Sequence, residues 1–196
     1  MRILTVADTV SDELLDKVGG APFLKDIDLI FSCGDLPPEY LSSLAFRYDV
    51  PLLYILGNHD LRYQSPPGGC RCIDRQIVTF NDLKILGFSG SRWYNGGINQ
   101  YTEQEMARFI AKLRFPLWRQ GTPDLIISHA PPRHINDAED PCHKGFRSFS
   151  KFITKYEPPY FIHGHIHRLF KDDSERMQTI NTTQVINCYG YYTLEI

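Results

Sequence analysis

The feature that most constrains this chain is a series of short apolar runs, each followed directly by Asp, Asn or His. Asp8 follows the first run, Asp35 the second and Asn58 the third, and His129 and His165 follow later ones. Short apolar runs without helical periodicity are typical of strands buried between layers. Ligands of open α/β sheets bind beyond the carboxyl ends of the strands, so we expect these polar side chains to converge there.

Strands and helices alternate along the chain. We predict strands at residues 3–7, 28–33, 52–56, 76–80, 84–89, 125–128, 160–162, 184–188 and 191–195. The early order is strand–helix–strand–helix–strand, and strands dominate later. This mixture favours an α/β domain in which helices cover two packed sheets. At 196 residues, the chain has the length of one domain with a sizeable core, and we expect residues 1–196 to form it.

The strongest helix signal begins at residue 102. Thr102 and Glu105 have the spacing of a capping box, apolar residues then follow at helical spacing, and Pro116 should end or kink the helix. We predict further helices around residues 40–48 and 146–156, and a weaker one at 11–18. Residues 65–72, with Pro-Pro-Gly-Gly at their centre, predict a long surface loop.

Composition excludes some functions. The net charge of −2 gives no broad basic surface, so we expect no nucleic-acid partner, and an anionic substrate would need local positive charge. No stretch approaches the roughly 18–20 apolar residues of a membrane span, and the N-terminus has no signal-peptide pattern. The five cysteines are an odd number, and reduced thiols are the expectation without a secretion signal. We therefore expect a cytoplasmic protein.

The polar residues at the strand ends suit divalent metal ions. Imidazole, carboxylate and amide oxygen are ligands of Mn, Fe, Zn and Ni. A bridging carboxylate can hold two such ions about 3.5–4 Å apart, as in phosphatases and nucleases. The charges of Asp8 and Asp35 offset two divalent ions only in part. A net positive pocket remains, which suits a phosphate ester.

Four motifs carry a resemblance to a known family. They are Gly-Asp at 34–35, Gly-Asn-His-Asp at 57–60, Ser-His-Ala-Pro at 128–131 and Gly-His-Ile-His at 164–167. In order and spacing they resemble the signature of the calcineurin-like metallophosphoesterases, over positions 8 to 167. The resemblance implies a four-layer α/β sandwich of two mixed β-sheets flanked by α-helices. It also implies a metal-dependent phosphatase or phosphodiesterase, which attacks the ester with a metal-bound hydroxide at a two-metal site.

The resemblance assigns roles to individual residues. Asp35 would bridge two divalent ions, with Mn favoured over Fe, Zn, Ni and Mg. His59 would bind no metal but would face the phosphate, where it stabilises charge or protonates the leaving group. The other implied ligands are Asp8 and His167 for the first ion, and Asn58, His129 and His165 for the second.

The chain departs from the family pattern at the first ion. The family has Asp-x-His at its start, whereas Val10 stands two residues after Asp8 here, so one imidazole is lost. Loss of an outer-shell partner typically costs about 10–100-fold in metal affinity, and loss of a direct ligand should cost at least that. Asp12, water or the substrate phosphate could fill the gap. His143 is either a substitute ligand or a solvated loop histidine.

A second departure concerns the surroundings of His59. Phosphoprotein phosphatases carry Gly-Asp-x-x-Asp-Arg-Gly, whose second Asp orients the catalytic His, but Pro38 and Glu39 stand there in this chain. His59 then pairs with Asp60 or Glu39, or stays unpaired. The sequence does not indicate a protein phosphatase.

Substrate clues lie in two segments. Arg92 either holds a phosphate bidentately while Trp93 or Tyr94 stacks on a base or sugar, or it belongs to an ordinary surface loop. Residues 134–144 follow His129 and could form one wall of the pocket. We expect a small phosphate ester as substrate, with nucleotides among the candidates. The oligomeric state is not indicated.

Two classes of function remain open, a hydrolase and a non-catalytic binding or scaffold module. Val10 is the kind of change that marks a scaffold, whereas a scaffold has no use for His59. The complete remaining set of site residues favours the hydrolase. A serine hydrolase is not indicated, because Gly-Phe-Ser-Gly-Ser at 87–91 lacks the last Gly of a nucleophile elbow.

Overall fold

Two large mixed sheets stack face to face in the computed structural model, which describes residues 1–15, 24–63 and 65–196. The strands of the first sheet are β1 (Arg2–Ala7), β2 (Leu29–Ser32), β3 (Leu52–Tyr54), β4 (Cys70–Cys72) and β13 (Gly190–Glu195). Their order is β13-β1-β2-β3-β4. Strands β1 to β4 run parallel, and β13 runs antiparallel to β1.

The second sheet has the order β11-β12-β10-β9-β6-β5. Its strands are β5 (Ile77–Phe80), β6 (Leu83–Phe88), β9 (Leu125–Ser128), β10 (Tyr160–His163), β11 (Met177–Ile180) and β12 (Thr183–Asn187). The central strands are parallel, and β5 and β11 add antiparallel edges. A separate short pair joins β7 (Ser91–Arg92) and β8 (Gln100–Tyr101).

Helices cover the outer face of each sheet. Helix α1 (Pro38–Tyr48) packs on the first sheet, and α2 (Glu103–Lys112), α3 (Arg114–Gln120) and α4 (Arg147–Tyr156) pack on the second. Strand β1 shows the layering, because Ile3 and Ala7 face the core between the sheets while Leu4 and Val6 face α1. Each sheet is apolar on both faces, so the predicted four-layer α/β sandwich is confirmed.

Local sequence explains where the helices begin and end. The predicted capping box is present, since the Thr102 hydroxyl accepts from the Glu105 backbone N–H while the Glu105 carboxylate accepts from the Thr102 N–H. The helix that begins at Glu103 ends at Lys112, as the prediction from Pro116 requires, and Pro116 itself belongs to the next helix. It lies in the first turn of α3, where a missing N–H costs no intrahelical hydrogen bond, and the chain bends at Leu113 instead.

Three parts of the sequence-based prediction need correction or fall outside the described residues. The predicted loop 65–72 ends in a strand, since Cys70–Cys72 pairs with β3 as an edge strand. Strand β11 was not predicted, because its alternation is weak and its pairing with β12 supplies the order. Of the predicted helix 11–18, the structure shows a 3₁₀ turn at Asp12–Leu14, and residues 16–18 lie outside the described residues.

Among the residues that the structure describes, no helix is both long and apolar enough to cross a lipid bilayer.

Candidate metal centre

The carboxyl ends of strands from both sheets meet at one edge of the sandwich. Asp8 follows β1, Asp35 follows β2 and His129 follows β9, while His165 lies two residues past β10. Asp35, His129 and His165 each present a ligand atom within 4.8 Å of the others. The expected convergence of residues far apart in the sequence is therefore present.

Backbone contacts from behind fix the orientation of His129. Its Nδ1 lies 2.8 Å from the carbonyl oxygen of Cys33, to which it donates. Its Nε2 then faces Asn58 Oδ1 at 3.0 Å and Asp35 Oδ2 at 3.2 Å. The amide of Asn58 is fixed too, because its Nδ2 donates to the hydroxyl oxygen of Tyr94 at 3.2 Å. Three electron-rich atoms consequently point at one another.

That arrangement needs a positive charge at its centre. Burial alone would raise the pKa of Asp35, but attraction to His129 and hydrogen bonds with it lower that pKa to about 2. Burial would lower the pKa of His129, but the carboxylate of Asp35 raises it to about 9. Apart from His129 Nε2 at 3.2 Å, the buried Oδ2 atom of Asp35 has no polar partner among the described residues. A divalent cation fits this donor set, since it can be bound by imidazole, carboxylate and amide oxygen together.

Asp60 ties two of the site loops together. Its Oδ2 accepts from the backbone N–H groups of Gly57 at 2.7 Å and Asp35 at 2.9 Å. Burial raises the pKa of Asp60 to about 6. Asp60 therefore joins the loop after β2 to the loop after β3 by hydrogen bonds. The sequence does not predict this role, because it depends on the contact between two loops.

Several site residues adopt the left-handed backbone conformation, which residues other than glycine rarely adopt. Asp8 has φ of 67°, Asp35 has φ of 57° and His165 has φ of 67°. Such left-handed backbone costs free energy and persists where the surrounding structure holds it, as at functional sites. Gly164 allows the close approach here, because a Cβ on it would lie 2.7 Å from Asp8 Oδ2.

The part of the site around Asp8 is more open. Both carboxylate oxygens of Asp8 accept from the backbone N–H of His165, at 3.1 and 2.9 Å, and Oδ1 lies 3.5 Å from His167 Nε2. The contact with Asp8 raises the pKa of His167, whose side chain is 52% exposed and stacks on Tyr189. Val10 is 42% exposed and supplies no ligand atom. Asp12, the other candidate to fill this gap, is exposed in the 3₁₀ turn.

His59 lies at the solvent side of the centre. Its backbone N–H donates to Asp35 Oδ1 at 2.7 Å, and its side chain is exposed. Neither Asp60 nor Glu39 bonds the ring; within residues 1–15, 24–63 and 65–196 the ring has no hydrogen-bond partner. Of the alternatives drawn from the sequence, the unpaired ring is the one observed.

Arg92 lies in β7, two residues before Tyr94. Tyr94, considered from the sequence as a stacking residue, instead contacts Asn58 through its hydroxyl. The sequence does not predict this contact, because the contact joins the loop after β7 to the loop after β3. Arg92 itself is half-buried, and its role in substrate binding stays a prediction.

The segment 134–144 does border the site. His165 Nε2 lies 2.7 Å from the carbonyl oxygen of Cys142. The His143 ring lies 5.2 Å from the His165 ring and 6.3 Å from the His167 ring, measured between centroids. A rigid carbonyl behind His165 holds that ring in place, as outer-shell partners of metal-binding histidines do.

Comparison with known proteins decides the family. The family model described as calcineurin-like phosphoesterase matches residues 1–169. This chain belongs to the calcineurin-like phosphoesterase family. The match covers every residue of the metal centre and thus confirms the resemblance drawn from the sequence motifs. No curated protein is significantly similar to the chain in sequence.

Solved structures share the fold at low sequence identity. One crystal structure aligns with a TM-score of 0.69 and 15% identity, over 98% of this chain and 94% of the other. The calcineurin-like phosphoesterase YfkN from Bacillus subtilis aligns with a TM-score of 0.53 and 13% identity, over 95% and 80% of the two chains. GAP50, described as the anchor in the inner membrane complex of Plasmodium, aligns with a TM-score of 0.53 and 13% identity, over 96% and 71%. At these identities the likeness shows the fold alone.

Proposed function

We propose that this calcineurin-like phosphoesterase hydrolyses a phosphomonoester or phosphodiester at a pair of divalent metal ions. One observation carries the proposal. His129 Nε2, Asn58 Oδ1 and Asp35 Oδ2 face one another at 3.0 and 3.2 Å, and hydrogen bonds from behind hold His129 and Asn58 in that orientation. Two oxygens that converge on one ring nitrogen need a shared positive charge, and a divalent cation supplies it in place of a proton on the imidazole.

The ligands divide between the two ions as the family resemblance implies. Asp35 would bridge both ions, and Mn is the favoured metal. Asp8 and His167 would hold the first ion. Asn58, His129 and His165 would hold the second. Such ions supply a nucleophile at neutral pH and neutralise the charge of the phosphate.

His59 has the position of a residue that acts on the substrate. Its backbone is anchored to Asp35, while its ring is exposed and unpaired among the described residues. We assign it the donation of a hydrogen bond or a proton to the phosphate or to the leaving group. Arg92 would add a charged contact to the phosphate from β7.

A groove next to His167 offers space for the organic part of the ester. It has a volume of about 780 Å³ and is lined by residues that include Thr9, Arg168, Phe170, Arg176 and Tyr189. Thr9 directly follows the predicted ligand Asp8, and Tyr189 stacks on His167 at 5.0 Å between centroids. Aromatic and cationic side chains side by side suit a small phosphate ester, including a nucleotide.

We further propose that residues 1–196 form one domain that works in the cytoplasm, since all five cysteines are thiols.

A paired measurement tests the proposed function. Purified protein is loaded with Mn²⁺ or Mg²⁺, its metal content is measured, and hydrolysis of an aryl phosphate monoester and of an aryl phosphate diester is followed. We expect more than one Mn²⁺ per chain and turnover of at least one ester. Catalytically silent protein that holds its full metal complement would favour a scaffold, the alternative to which Val10 points. A saturating ratio of one ion per chain would contradict the two-ion centre.

A further inference from the structure

The loop between β9 and α4 is held in one shape by a buried arginine. Arg133 is 8% exposed, and its Nη1 donates to Asp137 Oδ2 at 2.6 Å while its Nη2 donates to both oxygens of Glu139 at 2.8 Å. Asp137 also accepts from the backbone N–H groups of His134 and Gly145, both at 3.0 Å. Charge-assisted, bidentate contacts of this kind fix geometry. The tip of the loop is consequently presented in a defined position.

At that tip, Asp140 orients His143. The Nδ1 atom of His143 lies 2.9 and 3.0 Å from the two oxygens of Asp140, and the backbone N–H of His143 also donates to this carboxylate. With Nδ1–H given to the carboxylate, Nε2 carries the lone pair. Within residues 1–15, 24–63 and 65–196, that Nε2 has no hydrogen-bond partner. A carboxylate behind a histidine whose other nitrogen is free is the usual arrangement of a metal-binding histidine.

The His143 ring lies beside two of the predicted ligands. Its ring centroid is 5.2 Å from that of His165, a predicted ligand of the second ion, and 6.3 Å from that of His167, a predicted ligand of the first. The neighbouring residue Cys142 also contacts His165 through its carbonyl oxygen. His143 is therefore a neighbour of histidines that are assigned to different ions.

We propose that His143 is a ligand of the first ion and replaces the imidazole that the family places where Val10 stands. The inference rests on the two-ion centre proposed above. One neutral imidazole takes the place of another, so the net charge of the site is unchanged. His167 is the geometric link, since it lies next to His143 on one side and 3.5 Å from Asp8 on the other. The replacement comes from a different loop, which lies between the Ser-His-Ala-Pro and Gly-His-Ile-His motifs.

The test measures metal binding to the full chain, not activity. Metal-free protein is titrated with Mn²⁺ by calorimetry, and bound Mn²⁺ is followed by electron paramagnetic resonance. For His143→Ala we expect the weaker of two binding events to weaken by about 10–100-fold, with the tighter event unchanged. Asp140→Asn should shift the same event in the same direction by less. His134→Asn is the matched control, because His134 is an exposed histidine of the same loop with a left-handed φ of 66° that Asn tolerates.

A rescue experiment separates a ligand from a merely structural residue. If His143 serves the first ion, Val10→His placed in the His143→Ala variant restores the lost affinity. Restoration supports the proposal, because the two substitutions then act non-additively on one ion. Unchanged Mn²⁺ binding in His143→Ala overturns it and leaves the two-ion centre intact.

Two further outcomes would also overturn the proposal. Weakening of the same event by Cys142→Ser would mean that Asp140, Cys142 and His143, which lie together in one turn, bind a cation of their own. Wild-type protein that binds one ion would overturn the two-ion centre, and this inference with it.

Discussion

The two halves of the candidate metal centre differ in how deeply their predicted ligands are buried and in how firmly hydrogen bonds hold them. At the ligands proposed for the second ion, His129 is fully buried, and hydrogen bonds to the Cys33 carbonyl and the Tyr94 hydroxyl hold His129 and Asn58 from behind. At the ligands proposed for the first ion, the His167 side chain is half exposed and Val10 offers no ligand atom. The buried half has its geometry fixed before any ion binds, which favours tight binding. In the open half fewer contacts fix the proposed ligands, so we expect the first ion to bind more weakly than the second.

The largest expected effect comes from the residue that both halves share. Asp35→Asn keeps the shape of the side chain but removes the charge predicted to bridge both ions. We expect hydrolysis of an aryl phosphate ester to fall by about 10³-fold or more, since both ions lose a ligand. The measurement is kcat with Mn²⁺, together with metal content.

The comparison with Asp8→Asn sharpens that prediction. Asp8 is predicted to hold only the first ion, so this variant should keep the second ion while Asp35→Asn weakens both. Turnover by Asp35→Asn at the wild-type rate would show that the carboxylate does not bridge.

The next prediction concerns the pH dependence of stability and a buried histidine close to the buried half of the site. Burial lowers the pKa of His163, the last residue of β10, to about 4 from its ordinary 6.5. Because the folded state binds a proton at His163 less readily than the unfolded state does, acid favours unfolding. The stability that neutral His163 contributes is fully present above pH 6.5 and is lost as the pH falls through about 4. The loss is on the order of 3 kcal/mol, counting about 1.36 kcal/mol per pKa unit.

Denaturant unfolding of metal-free protein between neutral pH and pH 4 measures this loss. His163→Gln should flatten the acid limb of the stability curve, because glutamine does not titrate. The part due to His165, whose pKa burial also lowers, to about 3, should remain in the variant. An acid limb of the same steepness in His163→Gln would show that other groups govern the acid sensitivity.

A smaller effect is expected when the missing ligand is returned to the open half. Val10→His should tighten binding of the first ion by up to about tenfold, or about 1.4 kcal/mol, because His143 already serves that ion in our proposal. Calorimetric titration with Mn²⁺ gives the value. Equal affinity in the two proteins would show that the side chain at position 10 points away from the ion.

The smallest effect concerns the positioning of Asn58. Tyr94→Phe removes the hydroxyl that accepts from the Asn58 amide and should weaken the second ion by about threefold to tenfold, as loss of one hydrogen bond costs about 0.5–1.5 kcal/mol. Tyr160→Phe, at the start of β10 and away from the site, is the matched control. If the two variants bind Mn²⁺ equally well, Tyr94 does not position the amide.

Much of this molecule was predictable because its local patterns agree with its fold. Apolar runs predicted nine strands at positions where the structure has strands, and the capping box placed the start of α2. Strands β4, β7, β8 and β11 were missed, since each is ordered by pairing with a neighbour rather than by its own composition. A pairing partner is a property of the sheet, and a window of sequence does not contain it.

By itself, the sequence determined which chemistry this chain can hold: carboxylates, an amide and imidazoles at strand ends, in an order that indicated the family. The orientation of each predicted ligand depends on contacts between distant loops. Tyr94 reaches Asn58 across 36 residues, the Cys142 carbonyl reaches His165 across 23, and the Cys33 carbonyl reaches His129 across 96. The ends of strands can be predicted from the motifs, because an apolar run and the polar residue that follows it are adjacent in the sequence. Contacts between loops depend on how the two sheets pack, so they are a property of the assembled molecule.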